Sequence, residues 1–234
     1  MRKKKKNSKA DRVIGTGSFI LKNDSPFAIK EAYKALRTNV TFSLPGSGSK
    51  CIGFTSAERA EGKSTNAINL GISFAEIGKR VILLDCDMRL PTVASKMELQ
   101  QTPGLSDLLV GEASAREVIR HYAENLDVIP SGQIPPDPTG LLSSNLMATL
   151  IEKLKNAYDY VLIDLPPVTT VTDAAILSQS IDGFLLVVRH EVTQFNDVNE
   201  MFRRLELADS KVLGFIYNDA PVETKKYYSH YYAK

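Results

Sequence analysis

No stretch of the 234-residue chain comes near the ~18 consecutive apolar residues that cross a bilayer, so a membrane-spanning helix is not expected within it. The basic residues at the start are followed by no apolar segment, which argues against a secretory signal. Cysteine is scarce. Cys51 and Cys86 are the two present, and both fall in apolar runs that read as buried strands. They are expected to act as small hydrophobes rather than as a disulfide, which fits a reducing cytoplasm. The three histidines are scattered, so no Cys/His metal-ligand cluster forms. Internal repeats are absent. The main body carries no basic face interleaved with aromatics, so no nucleic-acid partner is expected.

The length allows one domain, with or without tails, and 43% hydrophobic residues suffice for a sizeable core. The net charge of +2 conceals an asymmetry. Residues 1–12 hold seven Lys/Arg and one Asp, a local +6 that leaves the other 222 residues at −4. Residues 1–24 read as a mobile basic arm, residues 25–221 as the folded domain, and residues 222–234 as a flexible tail. The arm is first a solvated segment; its charge would also suit anionic lipid headgroups or an acidic partner.

The central feature is Cys51-Ile52-Gly53-Phe54-Thr55-Ser56 followed by Ala57-Glu58-Arg59-Ala60-Glu61-Gly62-Lys63-Ser64-Thr65. A short apolar strand, a small-residue loop, Gly-Lys-Ser and then an amphipathic helix from Asn66 to about Glu76 have the layout of a phosphate-binding loop. Residues 57–65 would wrap the phosphates with backbone N–H groups at a helix N-terminus. Lys63 would bridge the β- and γ-oxygens, and the Ser64 hydroxyl would ligate Mg²⁺. Ala57 stands where the usual pattern has Gly, which it can do if its φ is negative.

Two further apolar runs end in acids. Val81-Ile82-Leu83-Leu84-Asp85-Cys86-Asp87 places two carboxylates two residues apart, expected on one face of a buried parallel strand. Tyr160-Val161-Leu162-Ile163-Asp164 has the Walker B arrangement, with Asp164 holding Mg²⁺ directly or through water. Acids at the C-terminal ends of such strands lie where open α/β sheets bind ligands. Further strands are expected at 126–130, 184–189 and 212–218. Helices are expected from Pro26 to about Thr41 with Ser25 as N-cap, at 115–121, at 139–155, from Asp173 and at 198–207. Strands thus alternate with helices, the pattern of an α/β fold with a mostly parallel central sheet and helices on both faces.

In the first helix, Glu31, Lys34 and Arg37 recur every three residues and form a charged stripe along one face. At the other end, Tyr227, Tyr228, Tyr231 and Tyr232 are four of the nine tyrosines, set among Lys225, Lys226, Ser229 and His230. Aromatics are depleted from disordered segments, so the cluster asks for a reason. It is either a docking tail or a set of phosphate acceptors, each phosphate adding about −1.5 to −2 charges.

Taken together, the Walker A stretch 57–65, the Walker A′ stretch 82–89, the Walker B stretch 161–167 and the tyrosine tail resemble the cytoplasmic kinase of the bacterial tyrosine kinases. That family governs capsule and exopolysaccharide synthesis. Gly104-Leu105-Ser106-Asp107 and Pro135-Pro136-Asp137-Pro138 resemble its landmarks, and the resemblance spans nearly all of the chain after the basic arm. It implies a P-loop NTPase fold, ATP and Mg²⁺ as cofactors, and autophosphorylation of the tail in trans. Lys63, Asp85, Asp87 and Asp164 would be catalytic, and Ser64, Asp87 and Asp164 would build the metal site. Asp85 would orient or deprotonate the incoming tyrosine, and Asn218 would read adenine. Glu31, Lys34 and Arg37 match the helix that packs a ring-shaped octamer. The implied partners are a separate membrane-spanning modulator of the chain-length-determinant type, a tyrosine phosphatase and protein substrates, with the kinase cytoplasmic and held at the membrane through the modulator.

This chain departs from the family pattern at four positions: Arg59 for Pro, Ala60 for Gly, Lys34 for Arg and Asp137 for Asn. Lys34 keeps the charge but loses the bidentate fork. The nearest alternative is a deviant Walker A ATPase of the partition or division-site type. Those proteins carry a lysine early in the loop, where this chain has Glu58. A non-enzymatic nucleotide-responsive scaffold is the other alternative; the intact set of Lys63, Ser64, Asp85, Asp87 and Asp164 argues against it.

Overall fold

The structure, a computed structural model, describes residues 19–221. The tail tyrosines Tyr227, Tyr228, Tyr231 and Tyr232 and most of the expected basic arm lie outside the described residues. In chain order the elements are α1 (Phe27–Ser43), β1 (Lys50–Ser56), α2 (Lys63–Ala75), β2 (Val81–Asp85), α3 (Val93–Lys96), α4 (Leu105–Leu109) and α5 (Ala115–Val118). There follow β3 (Arg120–Ala123), β4 (Leu126–Ile129), α6 (Pro138–Leu142), α7 (Asn145–Ala157), β5 (Tyr160–Asp164), α8 (Asp173–Leu177), β6 (Gly183–Arg189), α9 (Phe195–Leu207) and β7 (Val212–Asn218).

The strands form one seven-stranded sheet in the order β3-β4-β2-β5-β1-β6-β7. Every pair is parallel except β3–β4. Side chains alternate across the pleat, which splits each central strand between two cores. Ile52, Phe54, Val81, Leu83 and Leu162 pack with Ile68, Leu70 and Phe74 of α2 on one face. Cys51, Ile82, Leu84, Val161 and Ile163 pack with residues of α4 to α9 on the other. Both faces are covered, so these strands read as continuous apolar runs. The Phe74 ring stacks on Tyr160 with centroids 3.7 Å apart, fixing α2 against β5; truncating so large a buried side chain costs ~3–5 kcal/mol.

Several boundaries differ from the sequence reading. Residues 19–24, assigned to the mobile arm, lie against α2 instead. Ile20 and Leu21 are buried, the Leu21 N–H donates to Asn69 Oδ1 at 2.8 Å, and Asn69 Nδ2 donates to Phe19 O at 2.9 Å. Pro26, not Ser25, occupies the N-cap of α1, and its carbonyl accepts from Ile29 and Lys30. The Ser25 hydroxyl accepts from Lys22 N–H instead. The expected helix 139–155 is two, because Ser144 caps a new start by accepting from Met147 N–H. The expected helix 115–121 is one turn held by a Ser114–Glu117 capping box, after which Arg120–Ala123 pairs antiparallel with β4 at the sheet edge.

Cys51 and Cys86 are buried and unlinked. Burial pushes the Cys51 thiol up to about 12, and burial beside Asp85 raises that of Cys86 as well. Thiolate is the reactive form. Both thiols should therefore resist Ellman's reagent in the native protein and react together in denaturant. Rapid native labelling of either would contradict this packing.

Candidate active site

The order β2-β5-β1 brings three strand ends side by side. Asp85 ends β2, Asp164 ends β5, and the two stand opposite each other in register. Phe54 of β1 pairs with Asp164 from the other side, and β1 runs directly into the loop 57–62. Topology alone thus places two acids next to the loop.

The loop is shaped by local chemistry. Gly62 caps α2 with φ +102, and a Cβ there would lie 2.2 Å from Asn218 Nδ2, so only glycine fits. Ala57 is not among the residues with positive φ, which is the condition for alanine to replace the usual glycine. Ala60, where the family often has glycine, is left-handed at φ +61. Thr169 hydroxyl donates to Ala57 O, and Asn66 Nδ2 donates to Gly62 O at 2.9 Å. The loop ends at the N-terminus of the 13-residue α2, whose first N–H groups suit an anion.

Lys63 opens α2 and reaches across to Asp87, Nζ to Oδ2 2.7 Å, with both side chains nearly buried. Asp87 does not lie on the strand, since β2 stops at Asp85. The expected same-face spacing of Asp85 and Asp87 is therefore replaced by a turn. The Asp87 N–H folds back on Asp85 Oδ1 at 3.2 Å, and the Val93 N–H donates to Asp85 Oδ2 at 3.1 Å. Asp85 is thus held by main chain on both oxygens.

Asp164 is different. It is fully buried, and neither oxygen has a hydrogen-bond partner among the described residues. Burial raises its pKa, with Lys63 and Ser64 drawing it partly back. Burial and then Asp164 push Asp85 well above the usual carboxylate range. Burial would lower Lys63, but Asp164 and Asp87 outweigh it and hold the ammonium charged. A fully buried acid with two unpartnered oxygens, facing Ser64 and a second acid, has the donor set of a divalent cation site. The Gly62–Ser64 cradle above it suits phosphate. The residues fit a magnesium–nucleotide pair.

Other sequence-expected residues fall in mixed places. Asn218 reaches the loop, but its Nδ2 donates to Glu61 O at 2.8 Å. Glu31 and Lys34 form an exposed pair, Oε1 to Nζ 2.7 Å. Arg37 leaves the expected stripe and turns onto α2, donating to Ser73 O and Oγ. Asp137 caps α6, accepting from Gly140 N–H at 2.9 Å. The sequence reading missed Thr92, whose hydroxyl donates to Ser64 Oγ at 3.0 Å. It also missed the buried Asp173, which pairs with Arg89 at 3.4 Å beside Thr139. Arg89 lies inside the Walker A′ stretch and was the one signal available for that cluster.

Residues 49–213 match the AAA domain family. The tyrosine-protein kinase YwqD of Bacillus subtilis is 38% identical over 205 residues, covering 87% of this chain and 86% of its own. Among solved structures, the chimerical protein CapA2B2 aligns with TM-score 0.79 and 36% identity, covering 85% of this chain and 87% of that one. The kinase domain of the Escherichia coli tyrosine kinase ETK aligns with TM-score 0.77 and 30% identity over 82% of this chain and 77% of that one. The septum site-determining protein MinD of Pyrococcus horikoshii is more distant, with TM-score 0.62 and 25% identity over 72% of this chain and 70% of that one. The fold and site define a P-loop NTPase with a Walker A′ acid. Within that class, the chain belongs to the bacterial tyrosine-kinase family and is a protein-tyrosine kinase.

An unpartnered buried acid weakens the fold that holds it. Asp164→Asn should raise the metal-free stability by about 1–2 kcal/mol while losing the added stability from Mg·ADP. Urea unfolding in EDTA and then in Mg·ADP measures both. A metal-free destabilisation would show that Asp164 is satisfied without a cation.

Proposed function

We propose that the chain transfers the γ-phosphoryl group of ATP to tyrosines 227, 228, 231 and 232 of a neighbouring copy in a ring, and so regulates capsular or exopolysaccharide synthesis and export. The observation that carries this reading is the buried, unpartnered Asp164 between Lys63 and Asp85, at the foot of the loop 57–62. Bound Mg·ATP would supply the transferable phosphoryl group and a divalent charge. Ser64, Asp87 and Asp164 would hold the metal, and Lys63 would leave Asp87 to neutralise the β- and γ-oxygens. Phosphoryl transfer needs mainly positioning and charge neutralisation, which these residues provide. For Asp85, orientation is favoured over proton capture. It is fully buried, and main-chain N–H groups occupy both oxygens. Asn218 would meet adenine with its amide already anchored on Glu61 O.

No helix of the described residues is long and apolar enough to cross a membrane. Recruitment to an export site would then fall to the implied transmembrane modulator, with a phosphatase to reset the tail. Glu31 and Lys34 are exposed and available to a neighbour, as a ring contact requires.

Lys63→Met should abolish tail phosphotyrosine after incubation with Mg·ATP and the cytoplasmic segment of a cognate modulator. Changing the four tail tyrosines to Phe should remove most label while nucleotide still binds. Both are read by intact mass and phosphosite mapping. ATP consumed with no protein-bound phosphate in the unmodified chain would favour the partition-type ATPase. Glu31→Ala with Lys34→Ala should shift the assembly toward monomer by light scattering; an unchanged mass would reject the ring helix.

A further inference from the structure

The tip of the P-loop has two features that phosphate binding alone does not require. Ala60 sits at φ +61, a conformation that disfavours any residue with a Cβ. Glu61 has no exposed surface, although a carboxylate near a phosphate site repels the ligand. Both are held by groups far away in sequence.

Glu61 Oε2 accepts the Glu58 N–H at 3.0 Å, and Oε1 accepts the Thr193 hydroxyl. The same Thr193 oxygen accepts the Arg189 N–H at 2.8 Å. The Arg189 guanidinium donates to Ala60 O at 3.2 Å and is itself steadied by Asp219 at 3.1 Å. Asn218 Nδ2 donates to Glu61 O at 2.8 Å. Three bonds thus cross to residues 60 and 61, from Arg189 and Asn218 at the ends of β6 and β7 and from Thr193 in the loop after β6, each more than 120 residues away. The Thr193 hydroxyl is the pivot. It donates its one proton to Glu61 and accepts from the main chain of Arg189. Without it, the buried Glu61 carboxylate loses a partner and is drawn out toward water, freeing the loop tip.

We propose that Thr193 and Arg189 are positioning residues for nucleotide binding: they clamp Ala60 and Glu61 so that the P-loop is already in its phosphate-binding shape before nucleotide arrives. This rests on reading the loop as the nucleotide site. The strain at Ala60 is then maintained by the clamp, as strained backbone persists where its surroundings over-determine it. The clamp acts through preorganisation, so its loss falls on affinity more than on turnover.

The test is titration of the full chain with a fluorescent ADP analogue and Mg²⁺, beside thermal unfolding without nucleotide. Thr193→Val is expected to weaken binding about tenfold with the apo midpoint nearly unchanged, Thr193→Ser to bind like the parent, and the autophosphorylation rate at saturating ATP to stay within about twofold of it. Ala60→Gly in the Thr193→Val background should recover part of the affinity, since glycine needs no clamp to be left-handed. Parent-like binding by Thr193→Val would overturn the proposal, as would equal losses in the Val and Ser variants. The readout is binding, so a chain that binds nucleotide but phosphorylates no tyrosine defeats the kinase reading and leaves the clamp standing. A parent chain that binds no nucleotide overturns both.

Discussion

Everything around the site depends on how three carboxylates are kept at the C-terminal ends of the central strands β2 and β5 with a single lysine among them. Asp85 and Asp164 are fully buried, Asp87 nearly so, and Lys63 pairs with Asp87 alone. Like charges at such separations cannot all stay ionised in a low dielectric without compensation. The fold supplies unequal compensation. Asp85 has main-chain N–H donors, Asp87 has the ammonium, and Asp164 has neither. That inequality gives the site its chemistry, because it leaves one acid that the nearby Lys63 ammonium stabilises only in part and whose oxygens have no hydrogen-bond partner of their own.

The sheet order serves this arrangement. β1 sits between β5 and β6, so its loop is flanked by the Asp164 strand on one side and the Arg189 strand on the other. One neighbour supplies the charge that a metal needs. The other supplies the groups that hold the loop tip. A sequential order of strands would have separated these two tasks. The crossover connections, with α2 on one face and the α4–α9 helices on the other, also bury both sides of β1, β2 and β5, and so keep the acids dry at their ends.

Much of this was legible in the chain itself. Gly62-Lys63-Ser64 after an apolar run, and apolar runs ending in Asp85 and Asp164, carry their physics locally, because strand, turn and helix N-terminus are each specified within a few residues. What was not legible depended on partners distant in sequence. The antiparallel β3 has only four residues and alternating burial at an edge, too weak a pattern to separate from one helical turn. Arg37 keeps a three-residue spacing with Glu31 and Lys34, yet turns inward because Ser73 offers it an acceptor on α2. Ile20 and Leu21 looked like part of a solvated arm because two apolar residues do not make a period; Asn69 is what draws them in.

The departures from family pattern gain a physical meaning in this light. Ala60 replaces a residue that is free to be left-handed, so this chain needs an external hold on its loop where glycine would need less. Arg59, beside it, gives up the rigidity that proline would bring. A loop built without both glycine and proline at its tip is softer and more strained than one with them, and its tip is held by Arg189 and Asn218 at the ends of β6 and β7 and by Thr193 just beyond β6. β7 and the residue after it contribute to that hold twice: Asn218 bonds to Glu61 O directly, and Asp219 steadies the Arg189 guanidinium that reaches Ala60 O. The last strand of the sheet therefore acts on the loop tip both through a side chain of its own and through the side chain of its neighbour β6.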